Sequence, residues 1–208
     1  MRIGELSVVI IGALLLAGCS SSAPKKEAAR EAAAPQVETG PATYKVRLDT
    51  SKGPVVVEVH RDWAPIGAAR FQELVKDGFY DGARFFRVVP NFVVQFGLAA
   101  KPAMTKKWDK PVDDDPVTQT NRVGSLAFAT MGKHTRTTQV FINLRSNQSL
   151  DARGFAPFAQ VVEGMEIVEK LYGGYGKAPD QGALTKRGNA YLMMAFPKLD
   201  YIRKASIE

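Results

Sequence analysis

Residues 85–95 run Phe85-Phe86-Arg87-Val88-Val89-Pro90-Asn91-Phe92-Val93-Val94-Gln95. Aromatic and β-branched residues favour extended backbone, and Pro90-Asn91 supplies turn chemistry between them, so the segment reads as two strands joined by a tight reversal. Strands are expected over residues 84–89 and 92–96. Successive side chains of a strand point to opposite faces, which sets Arg87 away from the face that Phe86 and Val88 fill. A guanidinium is thereby placed beside an apolar wall.

The same texture continues in both directions. Upstream, Tyr44, Val46 and Leu48 alternate with polar residues, Ser51-Lys52-Gly53-Pro54 supplies a turn, and residues 55–60 return as a second strand. Pro65 then opens a helix with Ala68, Phe71, Leu74 and Val75 at helical spacing, and Gly78 stands where a left-handed C-terminal cap is expected. Downstream, strands are readable at 125–129, 139–144, 158–162 and near 201–207, with a second short helix at 165–172. Residues 43–208 therefore form one mainly β domain. The expected architecture is a closed eight-stranded antiparallel barrel capped by two helices, because closure removes the edges that a small open sheet exposes. Periodicity by itself leaves a sandwich equally open.

Residues 1–42 have a different character. Arg2 is followed by an apolar run at 8–16 and then Leu16-Ala17-Gly18-Cys19, with small residues before the cysteine as signal cleavage requires. The run is too short for a confident membrane span of about 20 residues. The tetrapeptide resembles the bacterial lipobox, which implies a signal peptide over 1–18, lipidation of Cys19 and a cell-envelope location. In a diderm host, Ser20 after the cysteine resembles the pattern that permits passage to the outer membrane, facing the periplasm. Residues 20–42 hold Ser, Ala, Pro, Lys and Glu with almost no large apolar side chain, so residues 19–42 are expected to act as a flexible tether.

The formal charge is +7, and Arg2 and Glu5 cancel within 1–18, so the basicity belongs to the remainder. Its lysines and arginines are scattered, without the runs that track phosphates, and no nucleic-acid partner is expected. Cys19 is the one cysteine and there are two histidines, so no zinc set can be assembled. Asp113-Asp114-Asp115-Pro116 lacks calcium-loop spacing and reads as a solvated turn. Gly173-Gly174-Tyr175-Gly176-Lys177 lacks the spacing of a phosphate loop and also reads as a turn. No metal or cofactor is expected. Residues 178–197 have no functional reading.

Two further segments complete a pattern. Ser125-Leu126-Ala127-Phe128-Ala129-Thr130 leads to Thr137-Thr138-Gln139-Val140-Phe141-Ile142, and Leu150-Asp151 is followed by the run from Phe155 to Val168. Taken singly, Phe92, Phe141 and Phe155 would be core aromatics, Arg87 a solvated strand arginine, and Gln95 and Gln139 surface amides. Their joint spacing, together with residues 85–95, resembles the cyclophilin family of peptidyl-prolyl cis/trans isomerases, in the family's order across nearly all of the domain.

The resemblance implies that Arg87, Phe92 and Gln95 are catalytic, and that Val93, Ala129, Thr130, Gln139, Phe141, Leu150 and Phe155 bind a proline-containing peptide. In that reading Ala129 and Thr130 pair with the client backbone, Gln95 orients the carbonyl, and Arg87 donates to the prolyl nitrogen. Unfolded extracytoplasmic proteins are the expected clients, and the protein is expected to be a monomer. The chain departs from the family at Val93, where methionine is common, at Thr130, where asparagine is, and at Phe155, in the place of a histidine. Residues 148–150 lack the tryptophan of many eukaryotic members, which implies weak cyclosporin binding. The competing readings are a non-catalytic tethered chaperone or proline-peptide binder, against which Arg87 argues, and an idle structural lipoprotein, against which Gln95, Gln139 and Phe141 argue.

Overall fold

A computed structural model describes residues 41–208. The expected signal segment, Cys19 and most of the tether lie outside the described residues. Residues 41 and 42 are bonded to the strand exit that follows: Arg61 donates through Nε to the Pro41 carbonyl at 3.1 Å and through its backbone N–H to that of Ala42 at 2.9 Å.

The chain opens with the hairpin β1 (Thr43–Thr50) and β2 (Gly53–His60), paired from Thr43↔His60 to Thr50↔Gly53. Tyr44, Val46, Leu48 and Thr50 face the core, as period-2 alternation requires. Helix α1 (Pro65–Lys76) begins on Pro65 and buries Ala68, Phe71, Leu74 and Val75 against the sheet. Gly78 follows at φ 65, the left-handed conformation expected of it. Next come β3 (Arg87–Val89), β4 (Val93–Phe96), α2 (Pro102–Trp108), β5 (Ser125–Phe128) and β6 (Val140–Asn143). A 3-10 turn (Gln148–Arg153), β7 (Pro157–Glu163), α3 (Met165–Glu169), α4 (Gln181–Arg187), α5 (Asn189–Ala195) and β8 (Ile202–Ile207) complete the described chain.

All eight strands join one antiparallel sheet in the order β3-β4-β6-β5-β7-β2-β1-β8. The expected closure is corrected: β3 and β8 end the ladder without pairing with each other, and the sheet is an open half-barrel. Both edges find other partners. The Val88 N–H donates to the Gly176 carbonyl at 3.1 Å, while residues 82–85, ahead of β3, exchange backbone bonds with Asp200 and Ile202. A barrel seam is unnecessary where edge groups are satisfied in this way.

Five helices, not two, are present among the described residues. The additional ones, α2, α4 and α5, are seven residues each. Packing accounts for them: Leu184 of α4 and Leu192 of α5 close with Phe86, Leu98 and Leu199 into a small core separate from the main one, whereas Met104 and Trp108 of α2 pack against the main core. Phe86 thus fills this second core, while Val88 fills the main one.

Candidate active site

Strand pairing sets one row of side chains across four strands. Arg87 stands opposite Gln95, Gln95 opposite Phe141, and Phe141 opposite Ala127. Opposed residues of an antiparallel pair share a face, so this row occupies one side of the sheet. Val88, Val94, Val140 and Ile142 belong to the main core on the other side. Val93, Ala127, Phe141 and Leu150 form a distinct apolar patch, against which Phe92, Ala129 and Phe155 pack. The sequence-predicted pocket residues are therefore brought together.

Each wall has a local cause. Pro90 and Asn91 turn the chain between β3 and β4, Asn91 at φ 56, and the Phe92 N–H returns to the Val89 carbonyl at 3.1 Å. Proline followed by asparagine suits such a turn, since asparagine tolerates positive φ. The turn lays the Phe92 ring beneath the Arg87 guanidinium, whose carbon is 5.8 Å from the ring centroid. Across the hollow, Phe141 and Phe155 meet edge to face at 5.6 Å.

The polar side is a line of three residues. Arg87 Nη1 donates to Gln95 Oε1 at 2.9 Å, and Gln95 Nε2 donates to Gln139 Oε1 at 2.7 Å. Gln95 is thus engaged at both ends of its amide and only 5% exposed. Gln139 stands outside it, half-buried at the groove wall. The Ala129 N–H is also engaged, donating to the Gln139 carbonyl at 2.9 Å.

Several structuring residues escaped the sequence reading. Asn121, Asn143 and Asn147 are buried beneath the rim. Asn121 Nδ2 donates to Asp151 Oδ1 at 2.7 Å and to the Phe155 carbonyl at 2.8 Å. Asn143 Nδ2 donates to Asn121 Oδ1 at 3.0 Å, and Asn147 Nδ2 to the Phe92 carbonyl at 3.0 Å. This network ties the turn carrying Leu150 to the turn carrying Phe92. Its signal was present as two asparagines four residues apart at a strand exit, where short amides bond neighbouring backbone.

Asp115 corrects the solvated-turn reading of residues 113–116. It is buried, accepts from the Ile66 and Gly67 N–H groups at 2.9 and 2.8 Å, and accepts from Arg136 Nη1 at 3.0 Å. Helix α1 has no capping side chain of its own and takes this carboxylate instead. Gly67 leaves the room: a Cβ there would lie 3.2 Å from Asp115 Oδ2 and 3.3 Å from Arg136 Nη1. Arg136 in turn anchors the 130–135 loop beside the groove. Within that loop Thr130 Oγ1 lies 2.8 Å from Thr135 Oγ1 and accepts from the Gly132 N–H, and Met131 stands 97% exposed.

The groove, about 690 Å³, runs from the aromatic hollow past Gln139 to a second half walled by Thr105, Asp109 and, from α4, Gln181, Gly182 and Thr185. Residues 178–197 thus acquire a place: α4 forms part of the groove wall and α5 packs beside it over the second core.

Residues 45–186 match the family described as cyclophilin type peptidyl-prolyl cis-trans isomerase/CLD. A peptidyl-prolyl cis-trans isomerase of Acinetobacter baylyi is 33% identical over 153 residues, covering 67% of this chain and 81% of that protein. Peptidyl-prolyl cis-trans isomerase B of Escherichia coli is 34% identical over 138 residues, covering 62% of this chain and 84% of that protein. Among solved structures, a cyclophilin type peptidyl-prolyl cis-trans isomerase of Cryptosporidium parvum is similar at a TM-score of 0.61 and 22% identity, covering 80% of this chain and 98% of that one.

Proposed function

This chain belongs to the cyclophilin-type peptidyl-prolyl cis/trans isomerase family and is an enzyme of that kind; from that membership we propose how its own residues carry the reaction. Amide resonance sets a barrier of roughly 18 to 20 kcal/mol to rotation, while the two X-Pro isomers differ by only about 0.5 to 1 kcal/mol. The task is to lower the barrier. The prolyl ring occupies the hollow of Phe92, Val93, Phe141, Leu150 and Phe155, and Arg87 donates to the prolyl nitrogen as it leaves conjugation. That bond is strong only in the twisted state, so it stabilises the transition state more than the bound substrate.

The observation that carries this reading is the Arg87-Gln95-Gln139 line beside an apolar hollow. Gln95 holds Arg87 through its amide oxygen and spends one N–H of its amide nitrogen on Gln139, so the second N–H orients the client carbonyl, with the Gln139 amide nitrogen beside it. Backbone pairing at Ala129 draws on its carbonyl, with Thr130 beside it. The related Cryptosporidium parvum protein was crystallised in the presence of the dipeptide Ala-Pro, which supports a proline-containing ligand here. NMR exchange spectroscopy on an X-Pro peptide with the whole chain tests the proposal. Cis and trans resonances should exchange faster at substoichiometric protein, and peptide binding without faster exchange would favour the non-catalytic binder.

Leu16-Ala17-Gly18-Cys19 supports a second part of the proposal. The domain is held at the cell envelope by lipid on Cys19, at the outer membrane facing the periplasm in a diderm host. There it acts as a monomer on unfolded extracytoplasmic clients.

A further inference from the structure

Arg153 ends the 3-10 turn at the groove's rim and is exposed. Its guanidinium carbon lies 5.5 Å from the centroid of Phe155, one aromatic wall of the hollow. It borders both the main groove and an adjoining hollow on the far side of the 130–135 loop, the two sharing Thr130, Met131 and Phe155. Among the described residues it has no ion-pair partner.

The carboxylates nearby in the chain and in that hollow are already engaged. Asp151 accepts from the Asn121 backbone N–H and side-chain amide. Asp114 is 3.3 Å from Arg136 Nε and accepts from the His134 N–H at 2.8 Å. Arg87, over the other aromatic wall, has the neutral Gln95 as its partner. The hollow is therefore flanked by two guanidiniums without a counter-charge, while the carboxylate lining the groove, Asp109, stands just after α2, in the half of the groove that α4 walls. A ring takes none of a guanidinium's N–H donors in a conventional hydrogen bond, and those donors match a carboxylate bidentately.

Resting on the isomerase reading of this site, we infer that Arg153 selects client segments carrying a carboxylate side chain within two residues of the proline. Arg87 is fixed by the reaction, whereas Arg153 stands on the exposed rim, where it meets flanking residues of the client. The +7 charge of the chain favours approach of such segments.

The test uses the whole chain and acetylated, amidated peptides with Glu, Gln or Lys placed in turn at the two positions on either side of a proline. Exchange spectroscopy yields kcat/KM for each. At one or more positions Glu should exceed Lys by about three- to tenfold, as expected for a charge contact at an exposed site, and the ratio should shrink at about 0.5 M salt. Arg153→Lys should keep the preference, Arg153→Ala should reduce it, and Arg153→Glu should reverse it. Taking the ratio within each variant cancels any change common to all peptides, including partial loss of folded protein. A wild-type ratio within twofold of one at all four positions overturns the inference, and so does a Glu preference that survives Arg153→Glu. Turnover of the Gln peptide reports the isomerase reading separately. If that turnover is absent, that reading fails, and the same comparison made on Kd from chemical-shift titration still decides the role of Arg153.

Discussion

Arg87 and Gln95 face each other across β3 and β4, and the guanidinium donates to the amide oxygen at 2.9 Å. A neutral acceptor fixes the arginine without cancelling its charge or occupying all five of its donors. Arg87→Ala should therefore slow isomerisation about ten- to a hundredfold, the equivalent of a charge-assisted hydrogen bond of about 1.5 to 3 kcal/mol, while peptide affinity changes little. Gln95→Leu, which leaves Arg87 in place but unheld, should cost about tenfold in rate. Exchange rates and Kd measured on the same peptide separate the two effects. Wild-type exchange in Arg87→Ala at a matched bound fraction would remove the mechanism.

Two buried phenols set an alkaline limit on stability. Burial pushes Tyr80 well above its ordinary value of 10, and burial also raises Tyr44, with the Arg61 charge opposing it. Their hydroxyls donate to the Thr138 and Ala68 carbonyls at 3.1 and 2.7 Å. A group whose folded pKa is raised contributes its full stability below its unfolded value, here about 10, and loses it as pH climbs toward the folded value. Urea unfolding at pH 8, 10 and 11 should show stability falling above pH 10, and Tyr80→Phe should flatten that fall while costing about 1 kcal/mol at neutral pH. An identical alkaline slope in the variant would refute the assignment.

Cyclosporin should inhibit weakly. The rim at Gln148, Ser149 and Leu150 offers no tryptophan on which the macrocycle could pack, although the hollow beneath it is formed. Nanomolar inhibition in the peptide exchange assay would contradict this.

Growth in a bacterium with a labelled fatty acid should mark the protein, and Cys19→Ala should abolish the mark. Labelling that persists in the variant would show that Leu16-Ala17-Gly18-Cys19 is not an acylation site.

Leu192 is fully buried in the second core with Phe86, Leu98, Leu184 and Leu199. Leu192→Ala should lower unfolding free energy by about 2 to 5 kcal/mol, the range for deleting a buried leucine side chain. Because α4 walls the groove, KM for longer peptides should also rise. A neutral effect on both, by chemical denaturation and exchange kinetics, would mean that α4 and α5 pack otherwise.

What is legible in sequence follows from how locally each feature is specified. Residues 85–95 carry a period-2 pattern, a proline and a turn-tolerant asparagine, so their strands and the placement of Arg87 opposite the core follow from short-range chemistry. Helix α1 announces itself through Pro65 and four apolar residues in register. The seven-residue helices α2, α4 and α5 are too brief for a periodic signal, although Pro102 at the start of α2 and Asp180, which caps Ala183 at 2.6 Å, are start signals in hindsight. The open seam escapes because edge pairing is a long-range property: residues 82–85 meet Asp200 and Ile202. Asp115 escapes for the same reason, since its partners Ile66, Gly67 and Arg136 are distant in sequence. The candidate pocket residues line one groove, but the engagement of Gln95 by two neighbours is visible only in three dimensions.

The asparagine network beneath the rim separates anchorage from surface identity. Asn121, Asn143 and Asn147 hold the turn through its backbone and Asp151, whereas Gln148, Ser149, Ala152 and Arg153 point outward and are exposed. Substitutions at those four positions leave the anchoring bonds intact, and surface changes of this kind are typically within about 0.5 kcal/mol of neutral for stability. Mutational drift can therefore rewrite the chemistry at the mouth of the hollow while the isomerising wall stays as it is, so lineages can diverge in the clients they serve without passing through an unfolded intermediate sequence.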